Sequence, residues 1–447
     1  MKKSIIYLLS ICTCFGILSS CEDDEKYVPV PPKVTITSLN GEFTVMQEDT
    51  LFLKASIESP LPATLSWSMN GEEVSTDTSY VFSMDEPGNY KVELKAKNAD
   101  GEVTASATID VYGKYKYGTF ILNEGASLQG DKGGFLTFIS PKGTVTNYAY
   151  QQENGSWLGS VPQDLFITNN KMYIVSQNGG NDGFLVIANA ETLKKEISFQ
   201  DELNGKISWP THVAVLEDDN VYLRDNTGVY LFHPSNKEVT FIKGTEGARK
   251  NTMAVAEGKV FVSKNNSVVV IEENKDEISQ TINFDGNVSG VIKSADNNIW
   301  VSDASGKISK VDAKNYAIIQ TNELPAEAAS LIIPSYAAAP SITAKGDTLY
   351  MSALQTNIYR HIFSQNKTDL MVNAQDMVEN ANIIYNTVAV HPVTGEVYLN
   401  SIKGFSTNVA FNHISVFDFS ESTPKLNANY ENYTRFPAGT FFTYNFK

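Results

Sequence analysis

Cysteine is almost absent from this chain. The three present, Cys12, Cys14 and Cys21, all fall within the first twenty-one of 447 residues. The remainder therefore has no disulfide framework, no thiol nucleophile and no cysteine metal site. Histidine is scarce as well. None of His212, His233, His361, His391 and His413 stands at metal-ligand spacing from another, and no His-Glu-x-x-His segment occurs. His391, ahead of Pro392, reads as a structural turn residue. Lys and Arg number 35 against 51 Asp and Glu, a net charge of −16. That balance disfavours nucleic acid, whose phosphates would be repelled. Outside residues 5–18 no apolar run is long enough to cross a membrane. Helical periodicity is nearly missing too; its best candidate, residues 373–380, is too short and polar to stand alone.

What is present begins with an address. Lys2 and Lys3 followed by the apolar residues 5–18 read as a leader occupying residues 1–20. The segment Leu18-Ser19-Ser20-Cys21 resembles a bacterial lipobox. That resemblance implies lipidation of Cys21, a mature net charge of −18 once Lys2 and Lys3 leave, and a membrane link through the lipid alone. The run Glu22-Asp23-Asp24-Glu25-Lys26 resembles the surface-export signal of Bacteroidetes lipoproteins, implying an outer-membrane protein that faces the exterior. Residues 21–32, ending in Val28-Pro29-Val30-Pro31-Pro32, read as a tether with a stiff extended end.

Residues 33–112 alternate apolar and polar in short runs, separated by turn signals at Asn40-Gly41, Asn70-Gly71, Pro87-Gly88 and Asp100-Gly101. This pattern predicts a small antiparallel β-sandwich with Trp67 as its core plug. The stretch Glu86-Pro87-Gly88-Asn89-Tyr90-Lys91-Val92, followed by Asn98-Ala99-Asp100-Gly101, resembles polycystic-kidney-disease-type (PKD) and related Ig-like modules, which implies a spacer.

Residues 114–447 repeat a short strand carrying an aromatic, a polar turn and a second strand. Phe120, Tyr173, Tyr222, Phe261, Trp300, Tyr350 and Tyr398 mark seven repeats, spaced 53, 49, 39, 39, 50 and 48 residues apart. A period of about 40 to 50 residues made of strands predicts a propeller with one blade per repeat. The fold class is all-β, an Ig-like sandwich followed by a seven-bladed β-propeller. The terminal Thr440-Phe441-Phe442-Thr443-Tyr444 lacks a following partner, and the first repeat lacks a preceding strand. Their pairing would close the ring and remove exposed sheet edges.

The repeats, for example Thr387-Val388-Ala389-Val390-His391-Pro392-Val393-Thr394-Gly395-Glu396-Val397-Tyr398, resemble YncE-like, YVTN-type propellers. Phe120-Ile121-Leu122-Asn123-Glu124-Gly125, with Arg435-Phe436-Pro437-Ala438-Gly439, resembles a subgroup of Bacteroidetes surface lipoproteins. Some of these capture cobalamin and pass it to a TonB-dependent outer-membrane transporter. The resemblance implies the same role here, without catalysis and without a cofactor.

In a propeller, the segments leading into each innermost strand and those leaving the next converge near the axis on one face. Leading segments bring Trp209, Arg249, Asn251, Tyr336 and Tyr385 there; departing segments bring Asn123, Gln177, Asn178, Arg224 and Phe405. Amides and cations suit the amide-rich rim of a corrin, and flat aromatics suit its broad apolar face. The expected ligand is cobalamin or a related corrinoid. Two other classes stay open: an adhesion or scaffold propeller that binds glycan or protein, and a propeller lyase. The loop 177–183 offers Asn178, Asn181 and Asp182 as oxygen ligands for calcium, but does not match the helix-flanked calcium loop. No motif supplies a catalytic residue or a metal site.

Overall fold

The computed structural model describes residues 27–333, 338–352 and 356–443. The leader, Cys21, the acidic run after it, Tyr336 and Tyr444 lie outside the described residues. Strand accounts for 53% of the chain and helix for 6%, so the protein is all-β. Two compact units divide between Val111 and Tyr112.

The first unit has a five-stranded sheet in the order Thr44–Met46, Gly101–Tyr112, Gly88–Asn98, Thr64–Met69, Glu72–Ser75, its last four strands antiparallel. A three-stranded sheet, Lys33–Ser38, Leu51–Glu58, Ser79–Phe82, accompanies it. The alternation in Leu51–Glu58 turns Leu51, Leu53 and Ala55 inward, the period a half-buried strand requires. Trp67 is fully buried among Leu53, Phe82, Leu94 and Ile109, with its indole N–H donating to the Asp77 carbonyl at 2.8 Å. Residues 27–32, expected as a spacer, are strapped to the Asn98–Gly101 hairpin. Val30 N–H donates to Asp100 at 2.9 Å, Asn98 Nδ2 donates to the Val30 carbonyl at 2.9 Å, and the Tyr27 hydroxyl donates to Asp100.

In the second unit, seven four-stranded antiparallel sheets occur among the described residues, a propeller-like arrangement. Their innermost strands are Ser160–Thr168, His212–Glu217, Ala254–Ala256, Val288–Lys293, Ile342–Lys345, Ile383–Val390 and Pro437–Phe442. Each lies against the innermost strand of the next sheet, and the last returns to the first. The aromatics of the repeat stand on the second strand of each sheet, all buried. They fill the seams between sheets: Tyr173 packs with Val213 and Val221 of the next sheet, and Trp300 with Leu349.

The closing strand is Pro437–Phe442, which pairs antiparallel with Thr119–Asn123 through Phe441↔Phe120 and Thr440↔Ile121. One sheet is thus built from both ends of the unit, as the unpaired repeats implied. A helix that the sequence pattern did not reveal spans Ala149–Asn154. It is under two turns, and only Ala149 and Tyr150 are buried, so no amphipathic period develops. Gly155, at φ 66, ends it in the left-handed region that favours glycine.

Phe120 is fully buried, with the Phe138 ring 4.9 Å away, in a cluster that Phe441 packs against. Phe120→Ala is expected to cost about 3 to 5 kcal/mol in denaturant unfolding. Phe52→Ala, on an exposed face of the sandwich, should stay within about 0.5 kcal/mol. Equal losses for the two would contradict closure as the stabilising seam.

Candidate functional site

The site grows out of how the innermost strands begin. An innermost strand has a free edge toward the axis, and an edge strand tolerates proline where a central strand does not. Pro162, Pro210, Pro340 and Pro437 stand at four of these starts. Three of the residues before them adopt left-handed backbone: Val161 at φ 58, Trp209 at φ 56 and Phe436 at φ 53. For bulky residues this region costs roughly 1–2 kcal/mol each, and proline biases its predecessor toward extended backbone. Such outliers cluster where a fold holds side chains for a purpose.

Trp209 is 58% exposed. Asp225, fully buried, holds its loop from beneath: one carboxylate oxygen accepts Ser208 N–H at 2.7 Å, the other accepts Thr227 and Gly228 N–H at 2.7 and 3.0 Å. Beside Trp209 opens a cleft of about 560 Å³ lined by Gln177, Asn178, Asn204, Lys206 and Tyr230. Gln177 is half-buried and Asn178 exposed, and neither side-chain amide bonds to a described residue. The structure therefore brings Trp209, Gln177 and Asn178 together.

Nearer the axis lies a second constellation. A cavity of about 890 Å³ runs along all seven innermost strands. At its upper end the Glu124 carboxylate accepts Gln163 Nε2 at 2.8 Å and the Tyr385 hydroxyl at 3.3 Å. The Lys250 ammonium attracts it electrostatically. Burial raises the Glu124 carboxyl above its ordinary range against these three stabilising partners, and burial lowers Lys250 against the pull of Glu124. Tyr385 packs on Phe436 at 5.4 Å, and its phenol is pushed up by burial and then by the Glu124 charge. Arg249, half-buried, donates its backbone N–H to the Ser263 carbonyl at 2.9 Å; its guanidinium bonds to no described residue.

Two predicted residues are committed to the fold instead. Asn123 is fully buried, donating to the Ile121 carbonyl and Thr137 at 3.0 and 3.2 Å and accepting Arg435 N–H at 2.8 Å. Arg224 is buried, its Nε and Nη2 on the Ala248 carbonyl at 3.1 and 2.8 Å and Nη1 on Thr211 at 3.0 Å. Burial brings the Arg224 guanidinium down to about 10. Asn251 is half-buried and donates to the Ser289 carbonyl at 3.0 Å. Phe405 is exposed on the loop before Ser406–Ala410, a turn touched by Ser127–Gln129, whose Leu128 is 87% exposed. Tyr336 lies outside the described residues. In the loop 177–183, Asn181 donates to the Lys132 and Leu158 carbonyls, and Asp182 is bound by Lys195, Tyr150 and Ser156. Their oxygens and amides serve the loop rather than a cation.

The sequence pattern did not single out Glu124, Gln163, Asp164, His212 and Lys250 as site residues; Gln163, Asp164 and His212 are buried, and Glu124 and Lys250 half-buried. His212 Nε2 is 2.8 Å from the Ala338 carbonyl and its Nδ1 2.9 Å from Thr211, and burial lowers the ring to about 3. Asp164 accepts Val213 N–H at 3.1 Å and Leu165 N–H at 2.9 Å, yet burial raises its carboxyl to about 7. His391 accepts the N–H groups of Val393 and Thr394 at 3.2 and 3.1 Å, a turn cap.

The fold and this face define an all-β, propeller-like protein behind a PKD-like domain. The chain belongs to the family described as "Domain of unknown function (DUF5074)", which it matches over residues 117–443; a PKD-like domain matches over residues 31–98. No curated protein matches the chain. Among solved structures, a quinoprotein alcohol dehydrogenase-like protein from Bacteroides thetaiotaomicron aligns with TM-score 0.52 and 16% identity. The alignment covers 92% of this chain and 99% of that one, and shows the fold alone. The WD40 domain of Neurospora crassa Pan2 aligns with TM-score 0.41 and 14% identity over 59% of this chain and 78% of that one.

Asp164 sets a pH dependence. Its folded-state value, about 7, is raised above the ordinary 3.8, so the folded form holds the proton more tightly than the unfolded one. Its contribution to stability is full below about pH 3.8 and lost as pH rises through about 7. His212, lowered to about 3, acts oppositely, losing stability as pH falls below 6.5. Comparison with Asp164→Asn isolates the first effect: the wild type should lose ground at up to about 1.4 kcal/mol per pH unit between pH 5 and 7. A pH-independent difference in urea unfolding would contradict it.

Proposed function

We propose that the seven sheets are the blades of a closed seven-bladed propeller, and that its upper face captures a ligand without transforming it. The ligand is cobalamin or a related corrinoid, handed on to a TonB-dependent outer-membrane transporter. The chain is anchored by lipid on Cys21 and faces the cell exterior, with the PKD-like unit as spacer.

The observation that carries this reading is Trp209. A tryptophan held in left-handed backbone, 58% exposed, over a cleft with the unbonded amides of Gln177 and Asn178, is costly for a fold to keep. A flat indole gives large contact area with little loss of rotamer freedom, and the amides supply donors and acceptors for the arms of a corrin rim. Arg249, Tyr385 and Phe405 add a cation and two more aromatics on the same face. A preformed ring spends little on ordering, which favours tight capture. The resemblance of residues 120–125 and 435–439 to a subgroup of surface lipoproteins, some of which capture cobalamin, supports the same ligand.

Calorimetric titration of the purified protein with cyanocobalamin should give stoichiometric binding, weakened about 10- to 100-fold by Trp209→Ala. Absence of heat together with absence of co-eluting colour overturns the corrinoid reading, and retardation on polysaccharide affinity gels would then favour the glycan-binding alternative. Cys21→Ser should move the protein out of the membrane fraction; retention there overturns the lipid anchor.

A further inference from the structure

Gln163 is 2% exposed, lies on an innermost strand and lines the axial cavity. Its Nε2 is committed to Glu124, while its Oε1 is buried without a hydrogen-bond partner. A buried acceptor left unmet costs roughly 1–3 kcal/mol. The mouth therefore offers one unmet buried acceptor, held in place by the Glu124 carboxylate.

Three classes of group can be weighed against this arrangement. A carboxylate would meet Glu124 and the Asp164 carboxyl. An ammonium would meet Lys250 and the buried Arg224. A neutral primary amide meets neither objection: its N–H donates to Gln163 Oε1.

We infer that Gln163 forms a specificity subsite at the axial mouth that takes one primary-amide arm of the ligand through its N–H and rejects the corresponding carboxylate. This rests on the corrinoid reading above and adds to it which chemical feature of the rim is read, and by which residues. Gln163 acts here as an acceptor, with Glu124 and Tyr385 as positioning residues that fix its amide the right way round.

The test uses cyanocobalamin and its monocarboxylic acids, in each of which a single arm amide has become a carboxylate, titrated into the purified protein in about 0.5 M NaCl to screen long-range repulsion. One positional isomer should bind at least about ten-fold more weakly than cyanocobalamin while the others bind normally. Gln163→Leu should weaken cyanocobalamin about ten-fold and narrow the gap between it and that isomer. Thermal unfolding of the variant checks its fold, and the isomer series with wild-type protein stands even if the variant is damaged. If every isomer binds like the parent, or Gln163→Leu leaves a folded protein with unchanged discrimination, the subsite is wrong while corrinoid capture survives. If wild-type protein binds no corrinoid at all, the underlying reading fails and the subsite falls with it.

Discussion

Everything on the upper face depends on a single strand pairing. Pro437–Phe442 reaches back across more than three hundred residues of sequence to Thr119–Asn123. The site inherits this long loop, because Glu124 follows the first strand directly while Tyr385 and Phe436 come from the last sheet and the closing segment. Loss of the pairing would separate the carboxylate from its phenol. The closing seam is also polar as well as apolar. Asn412 accepts Thr434 N–H and hydroxyl at 2.9 and 2.8 Å, and Thr137 donates to the Tyr433 carbonyl at 2.7 Å. Satisfied buried networks of this kind fix one register, since a slip would leave several groups unmet.

The same closure explains why irregular backbone is tolerated at the mouth. Innermost strands present free edges to the axis, which tolerate proline, and Pro162, Pro210 and Pro437 stand at or just before their starts. The left-handed residues before three of them turn the chain inward and set Val161, Trp209 and Phe436 at corresponding places in their sheets. A repeat device thus yields different side chains around one ring, one of them exposed and two packed. Asp225 supplies the local restraint for Trp209, accepting backbone N–H groups from both the loop before it and the turn after the neighbouring strand.

The architecture was legible in the sequence because it rests on periodicity. Aromatics at intervals of 39 to 53 residues mark the second strand of each sheet, and alternation through residues 33–112 with Trp67 marks the sandwich core. The site was legible only to the level of segments. Asn123 and Glu124 are neighbours, as are Arg249 and Lys250, and a one-residue step in an extended chain sends a side chain to the opposite side. Asn123 turns into the seam and Glu124 to the axis, a difference no local pattern encodes. Arg224 looked like a free cation because its acceptors, the Ala248 carbonyl and Thr211, belong to other segments. The Ala149–Asn154 helix was invisible for a related reason, being held by Tyr150 on Asp182 and by Asn154 on the Leu193 carbonyl.

Charge distribution gives the mouth its chemical character. The chain as a whole is strongly acidic, −16, and water and salt screen the charges that lie on its exposed surface. At the axis the balance differs: Glu124 is offset by Lys250, Arg224 is buried on neutral acceptors, Asp164 is drawn toward its protonated form and His212 toward its neutral form. Low dielectric makes each unpaired charge expensive, so the titratable groups neutralise or pair. What is left for recognition is the unmet acceptor of Gln163 and the unbonded guanidinium of Arg249. A ligand suited to that environment is neutral where it enters, rich in donors and acceptors at its rim, and flat enough to lie on Trp209. The amide-studded macrocycle proposed above has these properties.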